Sequence, residues 1–497
     1  MKSLQKVIFD TAPQAYYVGG ILRDGILKRP SRDIDLALPR SQVKDAALKL
    51  AKILKGSAFE MDADFCVWHI TAKNGLQIDL SAIIGKNIKE DLKRRDFTIN
   101  ALACPVSALP SLKQKSDGKI LLTAALNNIL DINDGIKDIK NKIIRANSKN
   151  VFKEDSLRLL RAYRTAAELG FTIDKNTISL IKKDAAMIND SAGERIQEEL
   201  KRIFKCKGSK QNLADMDKSA LLAAIFPPLE KQKNCARVYY GKGGVFAHTL
   251  NVVDRMEFLL GDLKKVFPKY YKKLLPFAQD AALYKTAALL HDIAKPKTAK
   301  MLKGRLRFFH HEERGAEMAR HLLKKLRYSS SDTRVICNMI KYHLRPSNLS
   351  SNEIITSRGV YNFFKELGEA AIPMLLMCWA DYASYITVAQ AKRLIKQSSK
   401  PIMTLEEGKK RGALGKTLRH MQVVNFLFDK YFNDTEKVVL PRRFIDGNDI
   451  MSVLKIPSGK KVGEILEAAA VAQVEGKIAD REQALAWLLE NKKIFKS

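Results

Sequence analysis

The spacing of apolar residues changes near residue 145, and this change limits the fold more than any other feature of the chain. Before it, short β-type runs such as QAYYVGG, DIDLAL, FCVWHITA and LQIDLSAII alternate with helical stretches, as in a small α/β unit. After it nearly every segment has helical spacing, and EDSLRLLRAYRTAAELG ends at Gly170, a suitable helix C-cap. The predicted fold class is α+β, with a small mixed head followed by mostly helical regions.

The charge balance indicates the kind of partner. The chain has 497 residues, of which 87 are Lys or Arg and 54 are Asp or Glu, so its formal net charge is +33. Because the surplus is large and spread along the chain, it favours an extended polyanion such as RNA or DNA over a small acidic metabolite. A generally basic proteome is the alternative explanation.

The cysteines and the apolar runs bear on the compartment. The six cysteines are scattered and form no CxxC pair, which fits a reducing environment. The N-terminal stretch MKSLQKVIFDTAPQAYYVGG lacks a signal-type apolar core, and no apolar run reaches the roughly 20 residues that span a bilayer. We expect a soluble, cytoplasmic protein with no membrane partner.

Two aspartates alternate in the run DIDLAL, shortly after a double glycine. With a strand period of two, Asp33 and Asp35 point to the same side, where two carboxylates can share divalent metal ions. Gly19 and Gly20 let backbone N–H groups approach a phosphate chain closely, and Arg23 adds positive charge. Solvated aspartates beside an ordinary glycine turn are the plain alternative.

A third acid, Asp79, lies in the apolar run LQIDLSAI. An unpaired carboxylate is costly in such a strand, so we predict that Asp79 is a neighbouring ligand or the group that activates an attacking hydroxyl. The competing interpretation is a strand-end aspartate that faces water.

Four motifs occur in a characteristic order: GGILRD with RDIDLAL, then EDLKRRDFTINALA, DINDGIKDIKNKIIRAN, and EDSLRLLRAYRTAAELGF. Together they resemble the class II tRNA nucleotidyltransferase and bacterial poly(A) polymerase family. The resemblance implies a nucleotidyltransferase head on a helical neck, with Mg²⁺ held by the head. It also implies catalytic roles for Asp33, Asp35 and Asp79, and nucleotide binding by Gly19, Gly20, Arg23, Asp24, Arg94, Arg95, Asp96, Asn100 and Arg161.

The segment EDSLR suggests how a base could be chosen. On a continuous helix Glu154, Asp155 and Arg158 share one face, which is also the geometry of a routine salt pair. Cytosine and adenine each offer an exocyclic amine beside an unprotonated ring nitrogen, so an adjacent carboxylate and guanidinium accept C and A and reject U and G. Asp155 and Arg158 are predicted to select the base while Glu154 holds the arginine, the role the family also assigns to this motif.

Histidines in the middle of the chain form a second constellation. The order His, His-Asp, His, His, Asp resembles the HD superfamily of metal-dependent phosphohydrolases. The implied ligands are His248, His291, Asp292 and Asp381, with His311 and His343 for a second metal. The metal expected there is Mn, Ni, Fe or Mg. A helical body with inherited but idle ligands is the alternative.

These features predict four regions. They are a nucleotidyltransferase head at 1–147, a helical neck with the base-selecting helix at 148–235, an HD metal-binding helical domain at 236–395, and a C-terminal helical, RNA-binding tail at 396–497.

The predicted activity is template-independent addition of CCA, or part of it, to tRNA 3′ ends from CTP and ATP. Only ten residues, 80–89, separate Asp79 from EDLKRRDF, a short segment typical of CC-adding relatives that need a separate A-adding enzyme. A-adding and poly(A)-polymerase activities also remain open. From other classes, we retain an HD phosphohydrolase whose head only grips RNA and a catalytically silent RNA-binding protein.

Overall fold

The computed structural model describes residues 3–31, 33–115 and 118–496. Residues 1, 2 and 497 of the predicted ranges, and Arg32 of the RDIDLAL motif, lie outside this part of the chain. The described residues form two compact units, 1–206 with 215–225, and 207–214 with 226–497.

Thirteen strands occur among the described residues. In chain order they are β1 Tyr16–Val18, β2 Asp33–Leu38, β3 Ser57–Asp62, β4 Val67–Thr71, β5 Gln77–Ala82, β6 Leu102–Pro105, β7 Ser111–Gln114, β8 Ile120–Thr123, β9 Leu130–Asp131, β10 Ile143–Ile144, β11 Thr172–Ile173, β12 Ala299–Leu302 and β13 Arg305–Phe308. All but β12 and β13 belong to the first unit.

The α-helices up to residue 205 are α1 Leu4–Thr11, α2 Gly20–Ile26, α3 Arg40–Ile53, α4 Ile88–Lys93, α5 Gly135–Asn141, α6 Val151–Glu154, α7 Arg158–Leu169, α8 Lys175–Asp184 and α9 Gly193–Lys205. Those that follow are α10 Ser209–Lys218, α11 Leu221–Ile225, α12 Pro228–Gln232, α13 Arg237–Tyr240, α14 Gly244–Gly261, α15 Leu263–Val266, α16 Tyr271–Leu274, α17 Ala281–Leu290, α18 Lys295–Thr298, α19 His311–Lys325, α20 Ser330–Tyr342, α21 Arg345–Ser350, α22 Ser357–Leu367, α23 Ala371–Ala383, α24 Val388–Ser398, α25 Leu405–Lys410, α26 Gly412–Asn433, α27 Gly447–Leu454, α28 Lys460–Val474, α29 Arg481–Glu490 and α30 Lys492–Lys496.

A seven-stranded mixed sheet organises the first unit, in the order β3-β4-β5-β2-β1-β6-β9. The central pair β2 and β5 runs parallel, whereas the other neighbours are antiparallel. In β2 the side chains of Ile34 and Leu36 are fully buried, and α3 packs on this region of the sheet with Val43 and Leu50. The alternation that predicted β2 therefore also places its aspartates on the opposite face from this core.

Helix α7 continues the first unit beyond the sheet. Its apolar side is buried through Leu159, Leu160 and Ala162, and Tyr163 donates a hydrogen bond to Ser219 at 2.8 Å. The helix ends at Gly170, whose φ of +69° is the left-handed conformation that glycine adopts without strain. The predicted end of this helix is confirmed.

The second unit is almost entirely helical. Helix α23 is buried along nearly its whole length and packs against α14, α17, α20 and α26. Each buried Leu, Ile or Met contributes about 1.5–3 kcal/mol of burial free energy, so this helix is the central support of the unit. The predicted fold class, a mixed head followed by helical regions, is confirmed. Among the described residues every helix falls short of the length and apolar character needed to cross a bilayer.

Candidate active site

Three carboxylates meet on neighbouring strands of the sheet. Strands β2 and β5 pair in parallel, and their register places Asp35 directly opposite Asp79. Because alternate residues of a strand share a face, Asp33 lies on the same side as Asp35. All three aspartates line one cavity of about 600 Å³. The structure thus brings together the three acids singled out in the sequence.

Burial and the neighbouring negative charges both act on the pKa values of Asp33 and Asp35. Burial, together with the charges of Asp79 and Asp33, raises the pKa of Asp35 to about 6 against the opposing effect of Arg95. Burial and the charge of Asp79 also raise the pKa of Asp33. A cluster of oxygen donors that resists ionisation in the absence of a cation is the donor set that a hard divalent ion prefers.

The double glycine forms the neighbouring wall of the cavity. Gly19 has a φ of +69°, and a Cβ atom there would lie 3.2 Å from Nη1 of Arg95 and 3.4 Å from Oδ2 of Asp35. Any larger residue would therefore be strained and would crowd the cavity. Gly20 begins α2 and lines the same wall.

Arginines on this wall are fixed by acidic and amide partners. Arg23 donates to Oδ1 of Asn100 at 2.7 Å and to Asp24 at 3.0 Å. Arg95 donates to Asp91 through two nitrogens, each at 3.0 Å. Held guanidinium groups lose little side-chain freedom on binding an anion, which suits phosphate recognition.

Asp96 lies within the same cavity and is fully engaged. Burial opposes its ionisation, but the guanidinium of Arg161 and the hydrogen bonds from Asn100 and the Phe97 amide hold its pKa well below the usual range. Two nitrogens of Arg161 contact one carboxylate oxygen, at 2.6 and 3.0 Å. Asp96 therefore orients Arg161 and Asn100 at the cavity wall.

The EDSLR segment differs from the continuous helix assumed above. Helix α6 ends at Glu154, Asp155 is extended with φ −152°, and α7 begins at Arg158. The Asp155 carboxylate accepts from the Leu157 amide at 3.1 Å, so it stabilises the start of the next helix and interrupts the helical path. The predicted pairing of Glu154 with Arg158 is present, at 3.2 Å.

Despite this break, Asp155 and Arg158 both line the cavity. The second carboxylate oxygen of Asp155 accepts from Arg195 at 3.2 Å, and Arg158 also donates to the Val151 carbonyl at 3.3 Å. The acid and the guanidinium are thus held by separate neighbours and remain directed to one space.

Most residues predicted to bind nucleotide line this cavity, and a few lie behind it. The lining includes Gly19, Gly20, Arg23, Arg95, Asp96, Asn100, Asp155, Arg158 and Arg161. Among the described residues, Asp24 and Glu154 instead support arginines of the wall, and Arg94 is an exposed C-cap of α4.

Sequence reasoning missed Arg164 and Arg202, which also line the cavity. Arg164 bonds to Glu199 and Glu168 at 2.7 Å, and Arg202 bonds to Glu168 at 3.0 Å. The sequence did contain a signal for Arg164, because it follows Arg161 by three residues on α7 and so lies on the same helix face.

The second unit contains a separate cluster of histidines and acids. Two trios of buried side chains each present ligand atoms within 4.8 Å of one another, namely His248, His291 and Asp381, and Asp292, His311 and His343. Asp292 lies between the trios, with one oxygen 3.1 Å from Nε2 of His291 and the other 3.5 Å from Nε2 of His311. The six predicted ligands are therefore brought together around one carboxylate.

Each of the four histidines is anchored through Nδ1. His291, His311 and His343 contact the carbonyl oxygens of Ala288, Phe308 and Ile340 at 2.7 to 2.8 Å, and His248 contacts Oγ of Ser384 at 3.1 Å. Nε2 of His248 faces Asp381 at 3.2 Å, and Nε2 of His291 and His311 faces Asp292 at 3.1 and 3.5 Å, without hydrogen-bond geometry in the described residues. Buried imidazoles that are anchored through Nδ1 and turn Nε2 toward carboxylates fit a transition-metal centre.

Two further residues of this cluster were not predicted. Nζ of Lys295 lies 2.6 Å from Asp292 and donates to the Tyr240 hydroxyl at 2.8 Å. The ring of Tyr240 stacks on His248 at 4.8 Å. Lys295 follows Asp292 by three residues in HDIAK, and that spacing was the available signal.

Comparison with known proteins places both clusters in a family context. Residues 15–145 match the poly A polymerase head domain, residues 170–233 match the probable RNA and SrmB-binding site of polymerase A, and residues 245–384 match the HD domain. The three carboxylates thus lie in the first matched segment and the six metal-ligand candidates in the third.

Relatives and solved structures agree with these matches. The chain is 25% identical to an A-adding tRNA nucleotidyltransferase of Deinococcus radiodurans over 96% of this chain and 95% of that one. It is also 25% identical to a CC-adding tRNA nucleotidyltransferase of Synechocystis sp., over 98% and 96% of the two chains. A CCA-adding enzyme solved with ATP shares the fold, with a TM-score of 0.62, 19% identity and coverage of 99% and 93%. The chain is an enzyme that belongs to the class II tRNA nucleotidyltransferase and bacterial poly(A) polymerase family, with an HD domain.

Proposed function

We propose that the first unit adds CCA, or part of it, to tRNA 3′ ends from CTP and ATP without a nucleic-acid template. The observation that carries this proposal is a single cavity lined by Asp33, Asp35 and Asp79 and also by Asp155 and Arg158. It combines a candidate phosphoryl-transfer centre with a candidate base-reading pair. The full-length relatives named above act on tRNA, and their names cover A and CC addition.

Asp33 and Asp35 are the residues that would hold Mg²⁺, because they offer hard oxygen donors on one strand face. When bound, the ion neutralises the triphosphate and lowers the pKa of the attacking ribose hydroxyl. Asp79 lies opposite Asp35 and would accept the proton of that hydroxyl. The chain thereby supplies both the charge and the base for in-line attack on the α-phosphate.

The remaining walls would hold the two ends of the nucleotide. Gly19 and Gly20 leave room for a close approach of the triphosphate, which Arg23 and Arg95 would contact. At the other end Asp155 would accept from an exocyclic amine. Arg158 would donate to the adjacent ring nitrogen, so that C and A fit and U and G do not.

The direct test is incorporation on a tRNA transcript truncated at the discriminator base, with CTP, ATP or both, followed by sequencing of the product 3′ ends. Addition of CCA from the mixture supports full end-completion. The matched control is the double variant Asp33→Asn and Asp35→Asn, which should lose incorporation while tRNA binding is retained. Incorporation that survives in this variant contradicts the proposed centre.

CC addition is the second candidate within the family, and one observation favours it. The connection between β5 and α4 comprises only residues 83–87. It is pinned, since the Ile84 amide donates to Asp91 at 3.1 Å and the Lys86 amide to Glu90 at 2.8 Å. A short, pinned connection leaves little freedom to reshape the pocket between CTP and ATP. Products that end at CC would support CC addition and require a separate A-adding enzyme. Addition of A only to tRNA that ends in CC would indicate an A-adding enzyme. Long A tracts on unrelated RNA would indicate a poly(A) polymerase.

We also propose that the HD cluster binds Mn, Ni, Fe or Mg and hydrolyses phosphate esters. The observation that favours it is the convergence of unpaired Nε2 atoms and carboxylates in a buried space. Four imidazoles favour Mn, Ni or Fe over Mg, because Mg²⁺ prefers oxygen donors. His248, His291, Asp292 and Asp381 would hold one ion, and His311 and His343 with Asp292 a second.

Metal analysis of the purified protein and hydrolysis of p-nitrophenyl phosphate with each added metal test the HD proposal. The variant His291→Gln should lose the ion held with His248 and Asp381 and should lose hydrolysis, but it should retain nucleotide incorporation. Metal bound without hydrolysis would indicate a structural centre. If the wild type hydrolyses the phosphate ester but incorporates no nucleotide, an HD phosphohydrolase whose head only grips RNA is favoured. If the wild type shows neither activity, a silent RNA-binding protein is favoured.

We propose that the functional regions of the chain have the predicted limits, 1–147, 148–235, 236–395 and 396–497. The last of them, the tail, is proposed as an additional RNA-binding region. A cytoplasmic location is proposed on the basis of the six scattered cysteines, which form no CxxC pair. Limited proteolysis with mass spectrometry would locate the limits.

A further inference from the structure

A small β-hairpin forms part of the rim of the HD cavity. Strands β12 and β13 pair in antiparallel fashion, and Leu306, Arg307 and Phe308 line a cavity of about 330 Å³ that His311 and Asp381 also line. The hairpin lies outside the metal-ligand set itself. Whatever binds on it is therefore adjacent to the HD centre.

The hairpin is fixed in place rather than loosely attached. The Tyr239 hydroxyl donates to the Leu306 carbonyl at 3.0 Å, and Nζ of Lys295 lies 5.6 Å from the centre of the Phe308 ring. These contacts involve the half-buried side of the hairpin. The opposite side is left as a preformed surface.

That opposite side is strongly basic. Residues 299–309, AKMLKGRLRFF, contain Lys300, Lys303, Arg305 and Arg307 and no acidic residue. The register places Lys300 directly opposite Arg307. Like charges opposite each other destabilise an antiparallel pair. An anion bound to the side chains of both Lys300 and Arg307 would remove this repulsion.

Large apolar side chains are exposed among the cations. The exposed fractions are 51% for Leu302, 53% for Phe309 and 52% for Tyr239. Two of these side chains are aromatic. Cations interleaved with accessible rings are the combination that binds single-stranded nucleic acid, because the cations contact phosphates and unpaired bases stack on the rings. A duplex buries its base faces and cannot use the rings.

We propose that the β12–β13 hairpin, together with Tyr239 and Phe309, binds single-stranded RNA beside the HD cavity. Lys300, Arg305 and Arg307 contact the phosphates, and the exposed rings stack on bases. This surface is distinct from the nucleotide cavity of the first unit, and its binding does not depend on whether either centre is catalytically active.

Photocrosslinking of the full-length protein tests this surface directly. A short single-stranded oligoribonucleotide that carries 4-thiouridine is irradiated with the protein, and the crosslinked peptides are mapped by mass spectrometry. We expect crosslinks within 299–309 or at Tyr239. An excess of unlabelled single strand should remove them, whereas a blunt duplex of the same sequence should not.

Two variants separate the specific surface from general charge. Lys300→Ala with Arg305→Ala and Arg307→Ala should reduce hairpin crosslinking by about tenfold at moderate salt, since three phosphate contacts are removed. The control removes three exposed cations from α19 of the same unit, by Arg320→Ala, Lys324→Ala and Lys325→Ala, and should change the yield by less than about twofold. The single variant Phe309→Ala keeps all charge and should still lower the yield, because a stacking platform is lost.

Four outcomes overturn the proposal. The first is the absence of crosslinks in 299–309 and at Tyr239. The second is equal competition by duplex and single strand, which would show binding by charge alone. The third is an equal loss in the hairpin and α19 variants. The fourth is displacement of the RNA by an acidic peptide but not by duplex, which would indicate a protein partner instead. Circular dichroism of each variant confirms that the fold is retained.

Discussion

Nδ1 of His69 lies 2.5 Å from Oδ1 of Asp79, directly across the β4–β5 pair. The other ring nitrogen of His69 lies 3.1 Å from Oγ1 of Thr71, so the imidazole is held from both sides. Asp79 is the third acid of the candidate centre and the one opposite Asp35. His69 therefore fixes the orientation of the Asp79 carboxylate within the candidate centre.

Replacement of His69 by Ala should lower kcat for nucleotide incorporation by about 10- to 100-fold, because an unheld carboxylate loses the alignment that proton transfer requires. The KM for CTP should change little, since His69 is not among the residues that line the cavity. His69→Asn should restore part of kcat, because its amide can replace the Nδ1 contact. Steady-state kinetics of both variants check this. An equal loss in the Asn and Ala variants would contradict a positioning role.

Asp35 makes the metal-free protein sensitive to pH. Its folded-state pKa of about 6 lies above its ordinary value of 3.8, so ionisation costs more in the folded than in the unfolded state. In EDTA this cost is absent below about pH 4, grows up to about pH 6 and is constant above it, at about 3 kcal/mol. Asp35→Asn should remove the cost and stabilise the protein at pH 8.

Urea unfolding in EDTA at pH 8 and pH 5 measures this effect. The stabilisation by Asp35→Asn should be smaller at pH 5, where the folded wild type already holds the proton. Asp45→Asn, on α3 away from the centre, is the matched control and should show no such pH dependence. Destabilisation by Asp35→Asn at both pH values would show that the carboxylate is held favourably in the folded state.

Arg195 offers a way to disturb base choice without changing the reading pair. It holds one oxygen of Asp155 at 3.2 Å from helix α9. Arg195→Ala should let Asp155 rotate and raise misincorporation of UTP relative to CTP by about tenfold, as expected for loss of about 1.4 kcal/mol of discrimination. Lys201→Ala on the same helix is the control. Competition assays with mixed nucleotides give the ratio, and unchanged selectivity in Arg195→Ala would contradict base reading by a held Asp155.

The sequence predicted the carboxylate centre because its geometry is local. A strand period of two places Asp33 and Asp35 on one face, and the apolar run around Asp79 marked the neighbouring strand. It could not predict that β2 and β5 pair in parallel with Asp35 opposite Asp79, since register is decided by the packing of the whole sheet.

The break at Asp155 escaped prediction for a different reason. The segment EDSLR has good helical spacing, but the Asp155 side chain competes for the Leu157 amide and ends the regular hydrogen-bond pattern. Lys295 was missed because its role depends on Asp292 and Tyr240, which are brought together only by tertiary packing. Local periodicity identifies which faces are apolar but not which polar groups meet.

The two histidine trios predict two metal ions that can be separated by mutation. His311 belongs only to the trio with Asp292 and His343, whereas His291 belongs to the trio with His248 and Asp381. His311→Gln should therefore bind one fewer Mn²⁺ than the wild type by calorimetry and keep the other site. His321→Gln, an exposed histidine on the same helix, is the matched control and should leave the stoichiometry unchanged.

Metal should also stabilise the second unit, because binding relieves unpaired buried atoms. At a free Mn²⁺ concentration of about 100 times Kd, linkage predicts about 2.7 kcal/mol of stabilisation at each site. Thermal unfolding with and without Mn²⁺ should show a higher Tm for the wild type and a smaller gain for His311→Gln. If Mn²⁺ raises the Tm of both proteins equally, His311 is not a ligand, and its inward Nε2 must serve another purpose than holding metal beside Asp292.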